Sequence, residues 1–389
     1  MACSPVVTFK LLLLLLVCSG IDCEVYYITP ISNTPCPVQT CLTLSQFAAH
    51  TTSYLSSNTT LIFLPGNHSL NFKCPISNVS NVVLTSTLPL SAVITCEHHN
   101  NSARFVFDAV STINISGLIF IGCGGNKIRS TLELLVESCV FIGQEKSKTA
   151  LELVGTKAIV AKSSFSFNTL GSLKSTWNLW RTISQVTYAG GVVGVNQSDI
   201  TIVDSTFDGN SAETGGVIFG EFDSNITIIN STFIGNSAAS YQSVSGGVLH
   251  CQGGCTVTIH NSTFKNNAVV YLGYGAVVSI TANGHKFGKS KLIISGTEFS
   301  NNKAFFGGAI IAGVGVTLDI RESNFTNNEA IPHGSGGAII VGLKSTLNIV
   351  GSRFCGSEAF TGGAISISCL LYTSPSPRDA TLSRMPSSA

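Results

Sequence analysis

Nine phenylalanines recur in this chain in one fixed local setting: Phe120, Phe141, Phe165, Phe207, Phe233, Phe264, Phe299, Phe325 and Phe354. Five residues before each stands Ile or Val: Ile115, Val136, Val160, Ile202, Ile228, Ile259, Ile294, Ile320 and Ile349. Seven residues before each stands another apolar residue, Leu292, Leu318 and Leu347 among them. Apolar residues two apart mark a strand with one buried face. Two residues before seven of the anchors is Ser or Thr: Ser163, Ser205, Ser231, Ser262, Thr297, Ser323 and Ser352. Three residues after six of them is Asn: Asn168, Asn210, Asn236, Asn267, Asn302 and Asn328. Glycine pairs then open a second apolar strand, as at Gly215-Gly216, Gly246-Gly247, Gly307-Gly308 and Gly336-Gly337.

Successive anchors lie 21 to 42 residues apart. Periods of this size mean a solenoid or a propeller, and a propeller blade needs four strands in about 40 residues. Each unit here offers two or three short strands between Gly and Asn corners. The predicted fold is therefore all-β: a right-handed parallel β-helix, with equal positions of successive coils stacked about 4.8 Å apart. Phe and Ile are expected to pile up inside. The corner Asn are expected to take the left-handed conformation and form a hydrogen-bonded ladder. The paired Gly permit a tight corner with positive φ.

The ends differ from the repeats. Lys10, the apolar run Leu11–Val17 and the small residues Ser19 and Gly20 read as a signal peptide over 1–23, with cleavage after Gly20 or after Cys23 both open. Residues 24–112 are expected to form an N-terminal cap and irregular first coils, with a short capping helix within Leu42–Tyr54, because solenoids need their first coil covered. The β-helix repeats are assigned to 113–368. Residues 369–389 lose the periodicity and resemble a translated cloning segment, so an unstructured, non-native tail is expected there. The localisation that follows is secreted and extracellular, or cell-surface if the natural chain continues past Ser368. No segment is long and apolar enough to span a bilayer.

Ten N-x-S/T sequons agree with a secretory route: Asn58, Asn67, Asn78, Asn100, Asn114, Asn196, Asn225, Asn230, Asn261 and Asn324. Of thirteen cysteines, ten follow Cys23. Cys36 with Cys41, and Cys251 with Cys255, are close enough in sequence to pair, and secretion favours disulfides. Net charge is +1 without a basic block, which leaves nothing to draw nucleic acid.

The pairing of Phe-x-x-Asn with Gly-Gly-Ala-Ile, as in Phe299–Asn302 with Gly307–Ile310, resembles the repeats of bacterial polymorphic outer-membrane adhesins. It also resembles large eukaryotic β-helix surface proteins. The resemblance covers about 250 residues. It implies adhesion or surface structure and carries over no binding residue.

The pectin-lyase-like superfold also hosts polysaccharide-cleaving enzymes, so chemistry has to be sought residue by residue. Glycoside hydrolysis needs paired carboxylates on one face. Asp204 and Asp208 flank the Phe207 corner and are read as solvent-facing. Glu213, Glu221 and Asp223 form the nearest thing to a local acidic cluster, short of the several oxygen ligands calcium needs. Cys251 and Cys255, with His250 and His260 nearby, read as a disulfide or two buried thiols in preference to a zinc site. Gly288-Lys289-Ser290 lacks the spacing and helix of a phosphate loop. No catalytic, cofactor or metal residue is assigned. One insertion between Asn168 and Gly190 holds Trp177, Trp180 and Arg181, a candidate ligand loop whose alternative is a helix packed on the solenoid flank. The expected function is a non-catalytic extracellular glycoprotein for adhesion, recognition or surface structure, with a protein or glycan ligand. The alternative is a pectin-lyase-like polysaccharide-active enzyme or carbohydrate-binding module.

Overall fold

The computed structural model describes residues 23–30, 41–50, 57–70, 73–96, 104–143, 149–169, 191–239, 244–270, 273–282, 288–331 and 333–368. They form a right-handed parallel β-helix of three long sheets with 13, 11 and 11 strands, plus a five-stranded and a two-stranded strip. Each coil crosses the first sheet (as at Asp199–Val203) and then the second (Thr206–Asp208). It turns through the five-stranded strip (Ser211–Ala212) and returns along the third (Ile218–Glu221). Every strand pairs in parallel with its equivalent one coil away, as Ile202 does with Ile228 and Phe207 with Phe233.

The anchors occupy one register on the second sheet, and their rings form a continuous stack. Centroids lie 4.7 Å apart for Phe120–Phe141 and 5.1 Å for Phe264–Phe299, with planes within 9° of parallel throughout. The residues five before line the first sheet in the same core. Burying each large apolar side chain contributes roughly 1.5–3 kcal/mol, so the column supplies most of the driving force.

The corner Asn form the expected ladder. Asn168 Nδ2 donates to Asn210 Oδ1 at 2.8 Å, and the pattern repeats through Asn236, Asn267, Asn302 and Asn328. Each Nδ2 also donates to the carbonyl of the anchor one coil earlier, as Asn236 does to Phe207 O at 3.0 Å. All six Asn are fully buried. Their backbone differs from expectation: the left-handed residue is the one before. At that position stand Gly122, Gly143, Phe167, Gly209, Gly235, Asn266, Asn301, Asn327 and Gly356, all with positive φ. The ladder Asn needs its side chain aimed along the axis, and the preceding residue makes the turn that aims it.

The Ser/Thr position builds a second ladder. Ser163 N–H donates to Ser205 Oγ at 3.1 Å, Ser205 N–H to Ser231 Oγ at 3.2 Å, and so on to Ser352. Each hydroxyl donates in turn to the carbonyl two residues back. Cys139 heads this ladder: its N–H donates to Ser163 Oγ, and its thiol points at Glu137 O.

The glycine pairs divide their work. The first member takes positive φ, as at Gly215 and Gly246. A Cβ on the second would strike the next coil: at Gly216 it would lie 2.1 Å from Gly247 O.

The three sheets extend back through residues 58–108, where the anchor is missing. Its column is filled by Ile94 and His68 in register below Phe120. The capping helix is Leu44–His50. Thr43 Oγ1 accepts from Gln46 N–H while Gln46 Oε1 accepts from Thr43 N–H, a reciprocal cap. Leu44, Phe47 and Ala48 close the core, with Phe47 edge-on to Tyr26 at 5.2 Å. Residues 1–22, most of the segment read as a signal peptide, and residues 369–389 lie outside the described residues.

Candidate functional site

Strand alternation decides which side chains leave the core, and the surface that results has distinct sides. On the first sheet the outward residues of one coil are Asp199, Thr201 and Val203, stacked against Asn225, Thr227 and Ile229. Asn225 Nδ2 donates to Asp199 Oδ1 at 2.7 Å. Farther along, Asp319 is held by Arg321 at 3.0 Å, which keeps its carboxyl below the usual range. This face presents hydroxyls, amides and charges, with apolar side chains such as Ile159 and Val350 scattered among them.

The described sequons fall on outward positions, none of them in the buried class. Asn58, Asn114 and Asn225 lie on the first sheet, Asn67 and Asn324 on the second, and Asn78 and Asn196 where the third sheet gives way to the first. Asn230 and Asn261 sit at the corner between the first and second sheets with φ of 47°. That left-handed turn exposes them, which strand parity alone did not reveal. Asn100 lies outside the described residues. From residue 104 onward, the passage from the second sheet through the five-stranded strip to the third carries no sequon.

The third sheet holds the buried titratable groups. Ile218 and Gly220 face the core, so Phe219 and Glu221 face out, and one coil on His250 and Gln252 do the same. All the same, Glu221 is fully buried and His250 nearly so. Gln252 Nε2 donates to Glu221 Oε1 at 2.7 Å, while Glu221 Oε2 and His250 Nδ1 have no partner among the described residues. Burial raises the Glu221 carboxyl and pushes His250 down to about 4. Both groups are thus driven toward their neutral forms. A lone carboxyl wholly out of solvent is not the paired, substrate-accessible arrangement that glycoside cleavage requires.

The other residues weighed from sequence separate in space. Asp223 is exposed and does not join Glu221, and Asp204 is exposed at its corner. No group of three metal-binding side chains occurs among the described residues. Cys251 and Cys255 are joined with an S–S distance of 2.03 Å. His250 points to the opposite face of the strand, and His260 lies on the first sheet against Ser295 Oγ at 2.5 Å. Cys41 is disulfide-bonded, and Cys36 lies outside the described residues. A bridge that spacing did not suggest joins Cys96 to Cys123 across 27 residues. Cys74 and Cys139 are buried thiols pushed up to about 12 by burial, hence unreactive. Trp177, Trp180 and Arg181 lie outside the described residues.

These features define the class: a parallel β-helix whose repeating coils are ladder-bonded inside and whose outward faces bear sequons. Residues 204–221, one complete passage from corner to third sheet, match the Chlamydia polymorphic membrane protein repeat. No curated sequence matches the chain. Among solved structures, the surface adhesin PfbA of Streptococcus pneumoniae is similar at 10% identity and a TM-score of 0.40, over 80% of this chain and 86% of that one. The endo-xylogalacturonan hydrolase of Aspergillus tubingensis is similar at 11% identity and a TM-score of 0.37, over 88% and 98%. An alginate lyase is similar at 11% identity and a TM-score of 0.31, over 89% and 88%. Adhesin and polysaccharide-active enzymes both occur among these neighbours. Overlaps this loose carry no functional weight. No helix among the described residues is long and apolar enough to cross a membrane.

Proposed function

We propose that this chain is a non-catalytic extracellular glycoprotein whose solenoid presents a surface for adhesion or recognition, with a protein or glycan as ligand. The observation that carries the reading is that, from residue 104 onward, the passage through the five-stranded strip to the third sheet carries no sequon while the other sides do. Glycans on the first and second sheets and their flanking corners would shield those sides. The passage through the five-stranded strip would stay open along the repeats, with side chains such as Ser211, Ser237, Lys303 and Glu329 arrayed at coil spacing. A leader that directs secretion and disulfides such as Cys96–Cys123 belong to the same reading.

The test has two arms. Glycopeptide mass spectrometry of the secreted chain should find glycans at the exposed sequons. A new sequon on the open side, made by Glu329→Asn with Ile331→Thr, should then abolish binding of the labelled protein to cells that retain the parent chain. Undiminished binding would sink the assignment of that side. Release of unsaturated or reducing sugar from polygalacturonate or alginate by the purified chain would instead establish the enzyme reading.

A further inference from the structure

We infer that the fold itself limits glycosylation of this chain: a sequon takes its glycan only before its coil pairs, and the ladder coils close soon enough to leave their sites partly unmodified. This rests on the secretory reading above and adds a regulation to it. All nine described sequons share one arrangement. The Asn faces outward, yet one of the two residues after it is anchored inside. It is Ile115 after Asn114, Ile226 after Asn225 and Phe325 after Asn324. It is the ladder residue Ser198, Ser231 or Ser262 after Asn196, Asn230 and Asn261. None of these six is more than 5% exposed, and the three sequons before residue 81 follow the same rule.

N-glycosylation joins the Asn Nδ2 to C1 of an oligosaccharide, breaks the bond from that carbon to its lipid diphosphate carrier and releases one amide proton. The transferase has to hold the amide, the hydroxyl two residues on and the backbone between them in one pocket. In a closed coil that stretch is already engaged. Asn225 N–H donates to Ser198 O at 3.0 Å and Asn324 N–H to Thr297 O at 2.9 Å. Phe325 lies in the ring stack, 4.6 Å from Phe299 and 4.7 Å from Phe354. At Asn196 the sequon hydroxyl is itself consumed: Ser198 Oγ donates to Asn196 O at 2.7 Å and accepts from Thr156 N–H at 3.0 Å. Entry into the transferase would pull a core residue out and break strand pairing on both sides, as at Asn225 with Asp199 and Thr256.

The time a site stays open differs along the chain. A solenoid nucleates in one place and then adds units to the end. The first coils lack the inner ladders and await the Cys96–Cys123 bridge, and disulfide formation is slow beside strand pairing. A later coil meets a finished neighbour whose Ser and Asn partners are already set, so it closes nearly as fast as it is made. Asn58 therefore stays open longer than Asn225 and Asn230. All three sequons end in Thr, so the hydroxyl residue does not separate them.

Two measurements test this. The full chain made without glycans, folded and disulfide-bonded, is offered to membranes carrying the transferase and its lipid-linked donor, beside synthetic peptides spanning residues 222–229 and 321–328. The peptides should be modified and the folded chain should not; modification of the folded chain at the peptide rate overturns the inference. In secreting cells, glycopeptide mass spectrometry should find Asn58 filled and Asn225 and Asn230 filled only in part. Ser231→Ala keeps the Asn230 sequon and removes one ladder rung, and Asn236→Ala removes another. Each should raise occupancy at Asn225 and Asn230 toward that of Asn58, and Ser231→Ala, the milder change, decides if Asn236→Ala is not secreted. Full occupancy of both sites in the parent, or no response to either variant, overturns the inference. A sequon introduced at residue 329 lies in a ladder coil too, so cell binding by that variant is read on its glycosylated fraction. Absence of glycan at every site, Asn58 included, overturns the secretory reading instead and leaves the peptide comparison to decide this one.

Discussion

The coils from residue 163 to 328 and those from 58 to 112 share three sheets but are held together differently. The later coils stack Phe on Phe, Asn on Asn and Ser on Ser, and every one repeats its neighbour's solution. The earlier coils fill the anchor column with His68 and Ile94 and the Ser column with Gly66 and Ala92. They substitute individual devices: a disulfide from Cys96 to Cys123, a reciprocal helix cap, and a buried imidazole donating from Nε2 to Leu64 O at 2.8 Å. Parallel pairing needs only alternating apolar residues. Ladders are the additional means by which repetition satisfies buried polar groups, since each coil supplies the partner the next requires.

The largest test of that contrast is Phe233→Ala. It opens a cavity in the middle of the stack and should cost about 3–5 kcal/mol in urea unfolding. Breaking the earlier region instead, with Cys96→Ser and Cys123→Ser together, should cost roughly 2–4 kcal/mol, and hydrogen exchange should place the loosening before residue 130. Asn236→Ala should cost about 2–3 kcal/mol, because it strands the buried Asn210 amide and removes the donor to Phe207 O. A loss below about 0.5 kcal/mol would mean the ladder merely accompanies the fold. The smallest effect separates the regions by pH. Burial lowers His68, so the unfolded chain takes up the proton first. Stability is then complete above about 6.5 and declines as pH falls below it. His68→Phe, which restores the anchor, should remove that share of acid sensitivity while leaving the share from His250. An unchanged pH profile would assign the sensitivity elsewhere.

How much of this was legible in the sequence follows the same division. Phe, Ile, Asn and Gly at fixed offsets announce stacked coils because stacking demands like residues at like positions. The early coils read as irregular in the sequence because neither His68 nor Ile94 matches the anchor. The left-handed corner after the anchor was readable to within one residue: Gly or Asn stands there in eight of nine coils, one position before the ladder Asn to which the turn was assigned. The equivalent corner three residues before it was harder to read: Lys162, Asp204 and Glu322 adopt it alongside Gly117, Asn230, Asn261 and Gly296, so residue type gives a diluted signal. The burial of Glu221 was hidden for a different reason. Alternation places it outward, and only the assembled surface buries it.

The ladders also divide each coil into a part whose length is fixed and a part whose length is free. From Ser205 to Asn210, as from Ser231 to Asn236 and Ser323 to Asn328, the count is always six residues. One residue more or less would turn the Asn off the axis and disconnect the amides on both sides. The rest of the coil absorbs all the variation between 21 and 42 residues. Insertions can therefore be gained, lost or exchanged there without retuning the interior. The molecule behaves as a chassis of standard pitch whose attachments are independently replaceable.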